Sequence, residues 1–121
     1  MTTYLFEQNP VWQKQLAYYQ NLGVFAWSGR VPFFITNTWR FAKLNCDAIL
    51  SYLSDMQQLD NKPWCILELG SGIGQCTVRI LHLLDRALDT WKNPPSITFI
   101  ACDASQQIIR YLKTHSQITP R

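Results

Sequence analysis

The pattern of hydrophobic positions along the chain changes near residue 60, from helical spacing to short continuous runs. Before it, Asn9 and Pro10 are typical of a helix start and Gly23 of a helix end, so a first helix is predicted between them. A longer helix is predicted from a cap at Thr36 or Asn37 to about residue 58. One helical face carries its apolar residues Trp39, Ala42, Cys46, Ile49, Leu50, Leu53 and Met56. This face is widened by Phe41, Leu44, Ala48 and Tyr52, which predicts contact with protein on two sides.

After residue 63 the apolar runs are shorter and unbroken. Residues 64–69 and 96–102 read as buried parallel strands. A helix reaching about Trp91 is predicted between them, and another is predicted after a cap at Ser105. This order of elements predicts an α/β fold with a βαβα unit, in residues 61–121. It follows an N-terminal helical and aromatic region, residues 1–60.

Composition narrows the function classes. The 121 residues are 47% hydrophobic and 16% charged, with a net charge of +3, which is typical of one globular domain. No run of Lys and Arg indicates a dedicated nucleic-acid surface, and no apolar stretch approaches the roughly 18 residues of a membrane span. The four cysteines lack metal-site spacing, so we expect buried free thiols, no metal and a reduced, cytoplasmic, soluble protein.

Three alternate glycines separate the first predicted strand from the helix that follows it. Gly70, Gly72 and Gly74 permit positive φ angles and close approach of a ligand to the backbone. Asp103 ends the second strand, where a parallel sheet can place a carboxylate against a ribose diol. Glu68 precedes the loop and favours a ligand with an ammonium group over a pyrophosphate. Together these residues predict half of a nucleotide site.

The stretch Glu68-Leu69-Gly70-Ser71-Gly72-Ile73-Gly74 resembles motif I of the Rossmann-like, class I S-adenosylmethionine-dependent methyltransferases. Residues 101–105, Ala-Cys-Asp-Ala-Ser, resemble the second motif of that family. The likeness covers about residues 60–115. A dinucleotide fingerprint would need glycine where Gln75 stands, so an NAD-type binder is disfavoured. Asp103 lies 29 residues after Gly74, against about 20 for the related fingerprint, and a longer intervening helix would accommodate the difference.

The resemblance implies a partial Rossmann-like fold and a transferase that uses S-adenosyl-L-methionine in methylation. Glu68 would hold the loop and meet the amino group of the cofactor. Asp103 would bind both ribose hydroxyls, although a helix-capping role competes, and Ala104 would lie against the adenine edge. The three glycines, Gly70, Gly72 and Gly74, would pass beneath the methionine part and the ribose, and Ser71 in the same loop would also bind the cofactor. Methyl transfer needs alignment more than acid–base chemistry, so the sequence identifies neither a catalytic residue nor the methyl acceptor.

Other candidate residues have simpler interpretations. The aromatic residues of the N-terminal region could form a lid or a substrate pocket, but core packing is favoured for Trp27, Phe33, Phe34 and Trp39. We expect His82 and His115 to be surface residues rather than catalytic bases.

Two parallel strands with open edges are not expected to be stable alone. The resemblance therefore predicts the N-terminal, cofactor-binding portion of a methyltransferase, which needs a C-terminal half, a partner or an exchanged dimer to complete its sheet. The alternative is a non-catalytic module that binds the cofactor or its product, S-adenosylhomocysteine, or that acts in assembly.

Overall fold

The computed structural model describes residues 5–28, 35–57 and 62–118. Two parallel strands and four α-helices make up a mixed α/β fold in these residues. Two 3₁₀ segments, Phe6–Gln8 and Gly23–Trp27, flank the first helix. The elements in chain order are α1 (Pro10–Leu22), α2 (Trp39–Gln57), β1 (Trp64–Leu69), α3 (Gln75–Leu88), β2 (Ile97–Cys102) and α4 (Gln106–Thr114).

The predicted signals of α1 are confirmed at both ends. The Asn9 side chain accepts a hydrogen bond from the Val11 N–H at 3.0 Å, which satisfies a free amide of the first turn. Gly23 ends the helix with a φ of 52° and donates its N–H to the Tyr19 carbonyl. No residue of α1 is buried, so this helix lies on the surface.

Three predicted boundaries need correction. The cap of α2 is Thr38, not Thr36 or Asn37, because the Thr38 hydroxyl accepts the Phe41 N–H at 3.1 Å. Helix α3 ends at Leu88 rather than near Trp91, since the amides of Thr90 and Trp91 bond to carbonyls three residues back in a turn. Strand β2 begins at Ile97, one residue later than predicted.

The parallel pairing of β1 and β2 is confirmed, with a register that runs from Trp64 opposite Ile97 to Leu69 opposite Cys102. Alternate residues share a face of the sheet, and one face carries Ile66 and Phe99. This inner face packs against α2 and α3 around a buried cluster: Ala42, Cys46, Ile80 and Leu84. Helix α2 therefore shares one core with the strands.

The outer face of the same sheet is apolar and largely uncovered. Leu67 is 57% exposed, Leu69 is 77% exposed and Ile100 is 43% exposed. Cys65 lies on this face too, so the expectation that every cysteine is buried is wrong for Cys65. A parallel strand normally has protein on both faces.

Two further burial predictions for α2 are wrong. Leu44 and Tyr52, two of the residues that widen the apolar face, are 62% and 54% exposed, so the described residues do not bury this part of the helix. Trp39 is 53% exposed instead of lying in the core, because it sits at the first position of the helix. Within the described ranges, no helix combines the length and apolar character needed to cross a lipid bilayer.

Candidate functional site

The glycine loop, Gly70–Gly74, connects β1 to α3, and its three glycines have positive φ angles of 73°, 53° and 76°. A Cβ at Gly74 would lie 2.6 Å from Cδ1 of Ile118 and 2.9 Å from a methyl carbon of Leu112, so glycine here leaves room for these two side chains. A Cβ at Gly72 would lie 3.1 Å from the ring of Trp27. At Gly70 a Cβ would meet no atom within 4 Å, so only this glycine faces open space.

Most amides of the loop already have acceptors within the chain. Gly70 and Ser71 both donate to the Cys102 carbonyl, at 2.9 and 3.0 Å, and Gly74 donates to the Ser71 carbonyl at 2.9 Å. Gly72 donates to Oδ2 of Asp103 at 3.1 Å. Phosphate-binding loops instead direct free backbone amides at the anion. The loop amides therefore do not form a nest of free N–H groups.

The Asp103 carboxylate joins the loop to the start of α4. Its Oδ1 accepts the Ser105 N–H at 2.9 Å, while Oδ2 accepts the amide of Gly72. Ser105 stands at the N-cap position, but its hydroxyl donates to the Tyr19 carbonyl at 3.3 Å instead of capping the helix. Asp103 therefore lies two residues before the N-cap, and its bond to the Ser105 amide is an Asx turn rather than a helix cap, so the capping alternative is wrong. A carboxylate accepts about four hydrogen bonds, which leaves acceptor capacity for a diol.

Glu68 lies on the inner face of β1 and points toward α3. One oxygen of its carboxylate accepts a hydrogen bond from the Thr77 hydroxyl, and Thr77 is fully buried. Burial, and then the negative charge of Glu68, raise the pKa of the Cys76 thiol. The side of the loop that faces α3 thus holds an oriented carboxylate beside a protonated thiol.

A first cavity, about 680 Å³ in volume, opens at the carboxyl ends of both strands. It is bordered by Gly70, Asp103 and Ala104 on one side and by an aromatic wall, Trp12, Tyr19 and Trp27, on the other. This volume is in the range of small-molecule sites. The first cavity brings three of the predicted binding residues together.

The second cavity, about 510 Å³, lies between the glycine loop and α2. The predicted residues Glu68, Ser71 and Gly72 border it, together with Phe41 and Asn45 from α2. Gly70 and Trp27 border both cavities. The predicted site is therefore divided between two spaces that meet at Gly70, while Gly74 has a packing role.

The charge of the site comes from carboxylates. Asp103 borders the first cavity and Glu68 the second, and no described lysine or arginine borders either one. Aromatic rings and carboxylate oxygens favour cations and hydroxyl groups as ligands. The arrangement suits a ligand with hydroxyl and cationic groups and disfavours an anion.

Sequence reasoning did not assign the α1 residues of the first cavity to a site. Trp12, Leu16 and Tyr19 project from one side of α1 into the cavity. Their spacing of four and three residues, on a helix with an uneven apolar face, was the available signal. Where that face docks depends on the bond from Ser105 to Tyr19, which joins residues 86 apart in the sequence.

The other aromatic residues and the two histidines differ in their position relative to the cavities. Trp27 stacks on Tyr19, with ring centroids 5.3 Å apart, and forms a cavity wall rather than buried core. Phe33 and Phe34 lie outside the described residues. His82 is exposed, with its ring centroid 5.8 Å from that of Trp39, and half-buried His115 packs on Tyr111. Neither histidine borders either cavity.

Comparison of the chain with protein-family models, with curated proteins and with solved structures finds no match in any of the three. The function therefore has to be inferred from the chemistry of the two cavities and from the residues of the two motifs.

Proposed function

We propose that the chain is the S-adenosylmethionine-binding portion of a Rossmann-like methyltransferase that acts on an unidentified methyl acceptor. The observation that carries this proposal is the first cavity, where the loop glycine Gly70, the carboxylate of Asp103 and Ala104 border one space. In parallel α/β proteins, nucleotides bind at the carboxyl ends of adjacent strands. The first cavity occupies that position.

The residues present fit this cofactor in three ways. Asp103 offers acceptor oxygens for two ribose hydroxyls, and Gly70 has open space above it for a ligand to cross the loop. Tyr19 and Trp27 offer aromatic faces for a purine or a sulfonium. The carboxylate of Glu68, held by Thr77, offers an acceptor for an ammonium group.

The contribution of this chain to methyl transfer would be binding and alignment. The bound cofactor supplies an activated methyl group on a sulfonium. The protein holds the ribose through Asp103 and the amino group through Glu68, and so sets the direction in which the methyl group faces. In-line positioning of two reactants can provide most of the acceleration of such a reaction.

A dinucleotide is the competing ligand, and the structure disfavours it. A pyrophosphate needs free amides or cationic side chains, whereas four of the loop amides donate within the chain. The described residues bordering the cavities include no lysine or arginine.

The edge of β1 opposite β2 supports the further proposal that another strand pairs there and completes the site. The amides of Trp64 and Gly70 donate to β2, at 2.8 and 2.9 Å. By alternation, residues 65, 67 and 69 direct their backbone groups to the opposite edge. Their side chains form the exposed apolar face. We propose that this strand comes from the rest of a methyltransferase domain, from a partner or from an exchanged dimer. A non-catalytic binding module remains the second candidate.

Calorimetric titration with S-adenosylhomocysteine tests the proposed cofactor. We expect saturable binding that Asp103→Asn weakens about tenfold or more, because a neutral amide is a poorer acceptor for two hydroxyls. NAD⁺ is the matched control ligand, and it should not bind. Absence of heat from a chain that shows a cooperative thermal transition, or tighter binding of NAD⁺, would refute the proposal.

A further inference from the structure

Helix α1 presents one face to the first cavity, and that face carries a polar side chain among apolar ones. Four of its residues border the cavity: Trp12, Gln15, Leu16 and Tyr19. Their spacing of three, four and seven residues from the first places them on one side of a helix. Gln15 is therefore a neighbour of both aromatic residues of this face. Aromatic rings offer stacking and an amide offers directed hydrogen bonds, which together suit a planar heterocycle.

The place of this face relative to Asp103 is fixed by contacts of Tyr19. The Tyr19 carbonyl accepts the hydroxyl of Ser105 at 3.3 Å, and the Tyr19 ring stacks on Trp27 with centroids 5.3 Å apart. Ser105 follows the proposed ribose-binding residue, Asp103, by two positions. Helix α1 is thus tied to the end of β2, and a base carried by that ribose would share the first cavity with the amide of Gln15.

The Gln15 amide keeps its full hydrogen-bonding capacity for a ligand. Other polar groups of the cavity are already engaged: the Trp12 indole donates to the Phe6 carbonyl at 2.6 Å, and the Cys102 thiol donates to the Glu68 carbonyl at 3.1 Å. Gln15 is exposed, and its amide has no hydrogen-bond partner among the residues that the structure describes. Its side chain therefore offers one acceptor oxygen and one donor nitrogen in a single plane.

We propose that Gln15 recognises the base of the bound nucleoside and selects adenine. The amide oxygen accepts a hydrogen bond from the 6-amino group and the amide nitrogen donates to N7, which is the pairing by which glutamine reads adenine in nucleic acids. This inference rests on the proposed function and deepens it by assigning a specificity-determining residue.

The selectivity arises from rejection of the wrong base more than from added affinity. In the free protein the exposed amide of Gln15 is hydrated, so its bonds to adenine replace bonds to water. Hypoxanthine has a carbonyl oxygen in place of the 6-amino group, and this oxygen and the amide oxygen would face each other as two acceptors. A bond to water is then lost without replacement. The Tyr19 hydroxyl can donate or accept, so it does not distinguish the two bases.

Calorimetric titration with S-adenosylhomocysteine and with S-inosylhomocysteine, its 6-oxo analogue, tests this inference. We expect the wild-type chain to bind S-adenosylhomocysteine about tenfold more tightly. Gln15→Ala should remove the preference. Gln15→Arg should reverse it, because a guanidinium donates to both acceptors of the 6-oxopurine edge.

Gln13→Arg is the matched control. It makes the same change of charge at another exposed glutamine of α1, which borders neither cavity, so it should leave the ratio of the two affinities unchanged. A shift of this ratio as large as that in Gln15→Arg would assign the effect to charge and overturn the proposed contact.

The other outcomes separate this inference from the proposed function. Equal affinity of the wild type for the two ligands, or a preference that both Gln15 variants retain, would overturn the role of Gln15 and leave the proposed cofactor intact. Binding of neither ligand by a chain that unfolds cooperatively would instead refute the proposed function.

Discussion

Replacement of Asp103 should weaken the fold as well as the binding of ligand, and the two effects can be separated. The carboxylate accepts the buried amides of Gly72 and Ser105, at 3.1 and 2.9 Å. Asp103→Ala removes both acceptors at once and leaves two buried donors without partners. Loss of binding in this variant would therefore not by itself identify a contact with ligand.

The size of the effect on stability follows from these two bonds. A hydrogen bond to a charged group contributes about 1.5–3 kcal/mol, and a buried donor left without a partner costs about 1–3 kcal/mol. Because the Asp103 side chain is only partly buried, we expect about 2–4 kcal/mol for Asp103→Ala. Asp103→Asn retains one acceptor oxygen, so we expect about 1–2 kcal/mol.

Urea denaturation and titration with S-adenosylhomocysteine of Asp103→Ala, Asp103→Asn and Ser105→Ala separate the structural role of Asp103 from its role in ligand binding. Ser105→Ala is the control, because it removes the hydroxyl bond to Tyr19 but leaves the carboxylate in place. We expect it to cost about 1 kcal/mol of stability and to leave ligand affinity unchanged. Asp103→Asn should lower affinity by more than its small stability loss explains.

The reasoning would be refuted if Asp103→Ala unfolded at the same urea concentration as the wild type. Such a result would mean that the carboxylate does not hold the glycine loop to α4. Equal affinity of the Asp103→Asn and Ser105→Ala variants for S-adenosylhomocysteine would instead show that Asp103 does not bind the ligand, and its structural role would stand.

Four further predictions concern a buried hydroxyl, two thiols and the open sheet face. Thr77→Val should lower the unfolding free energy, measured by urea denaturation, by about 1–3 kcal/mol, because it removes the hydrogen-bond donor to the partly buried carboxylate of Glu68. The control Thr90→Val, at an exposed site, should change it by no more than about 0.5 kcal/mol. Equal losses in the two variants would contradict this prediction. Cys65 should react with iodoacetamide in the native protein, detected by mass spectrometry, while Cys46, 3% exposed, should be labelled only after unfolding. Burial raises the pKa of the Cys46 thiol above its usual 9.0, so the folded state keeps a proton that the unfolded state loses. The difference in unfolding free energy between wild type and Cys46→Ala should therefore narrow above about pH 9. A difference that widens would contradict a raised pKa of the Cys46 thiol. Leu69→Gln should leave the unfolding free energy of the isolated chain within about 0.5 kcal/mol but weaken any self-association seen by light scattering, since Leu69 is 77% exposed.

Local signals predicted the elements whose determinants lie close together in the sequence. Strand β1 has its predicted bounds, because an apolar run between Pro63 and Gly70 leaves no alternative. The cap of α2 was misplaced by one or two residues. Three consecutive capping residues, at positions 36–38, precede that helix, and only the bond from the Phe41 amide selects Thr38.

Burial was less predictable than secondary structure, because it depends on how far the neighbouring layer extends. Trp39 shares a helical face with Ala42 and Cys46, yet it is 53% exposed while both of those residues are buried. Periodicity identifies the face of a helix but not the point where the opposing layer ends. The place of α1 in the cavity wall likewise depends on contacts distant in sequence.

The division of the site into two cavities follows from the geometry of β1. Side chains alternate along a strand, so Glu68 shares the inner face with Ile66 and extends toward Thr77. Asp103 lies beyond the end of β2 and turns back to the loop amide of Gly72. The two carboxylates therefore border different cavities, Asp103 the first and Glu68 the second, and Gly70 borders both. A Cβ at Gly70 would meet no atom within 4 Å. Glycine at position 70 leaves room for a ligand, whereas glycine at position 74 leaves room for the side chains of Leu112 and Ile118.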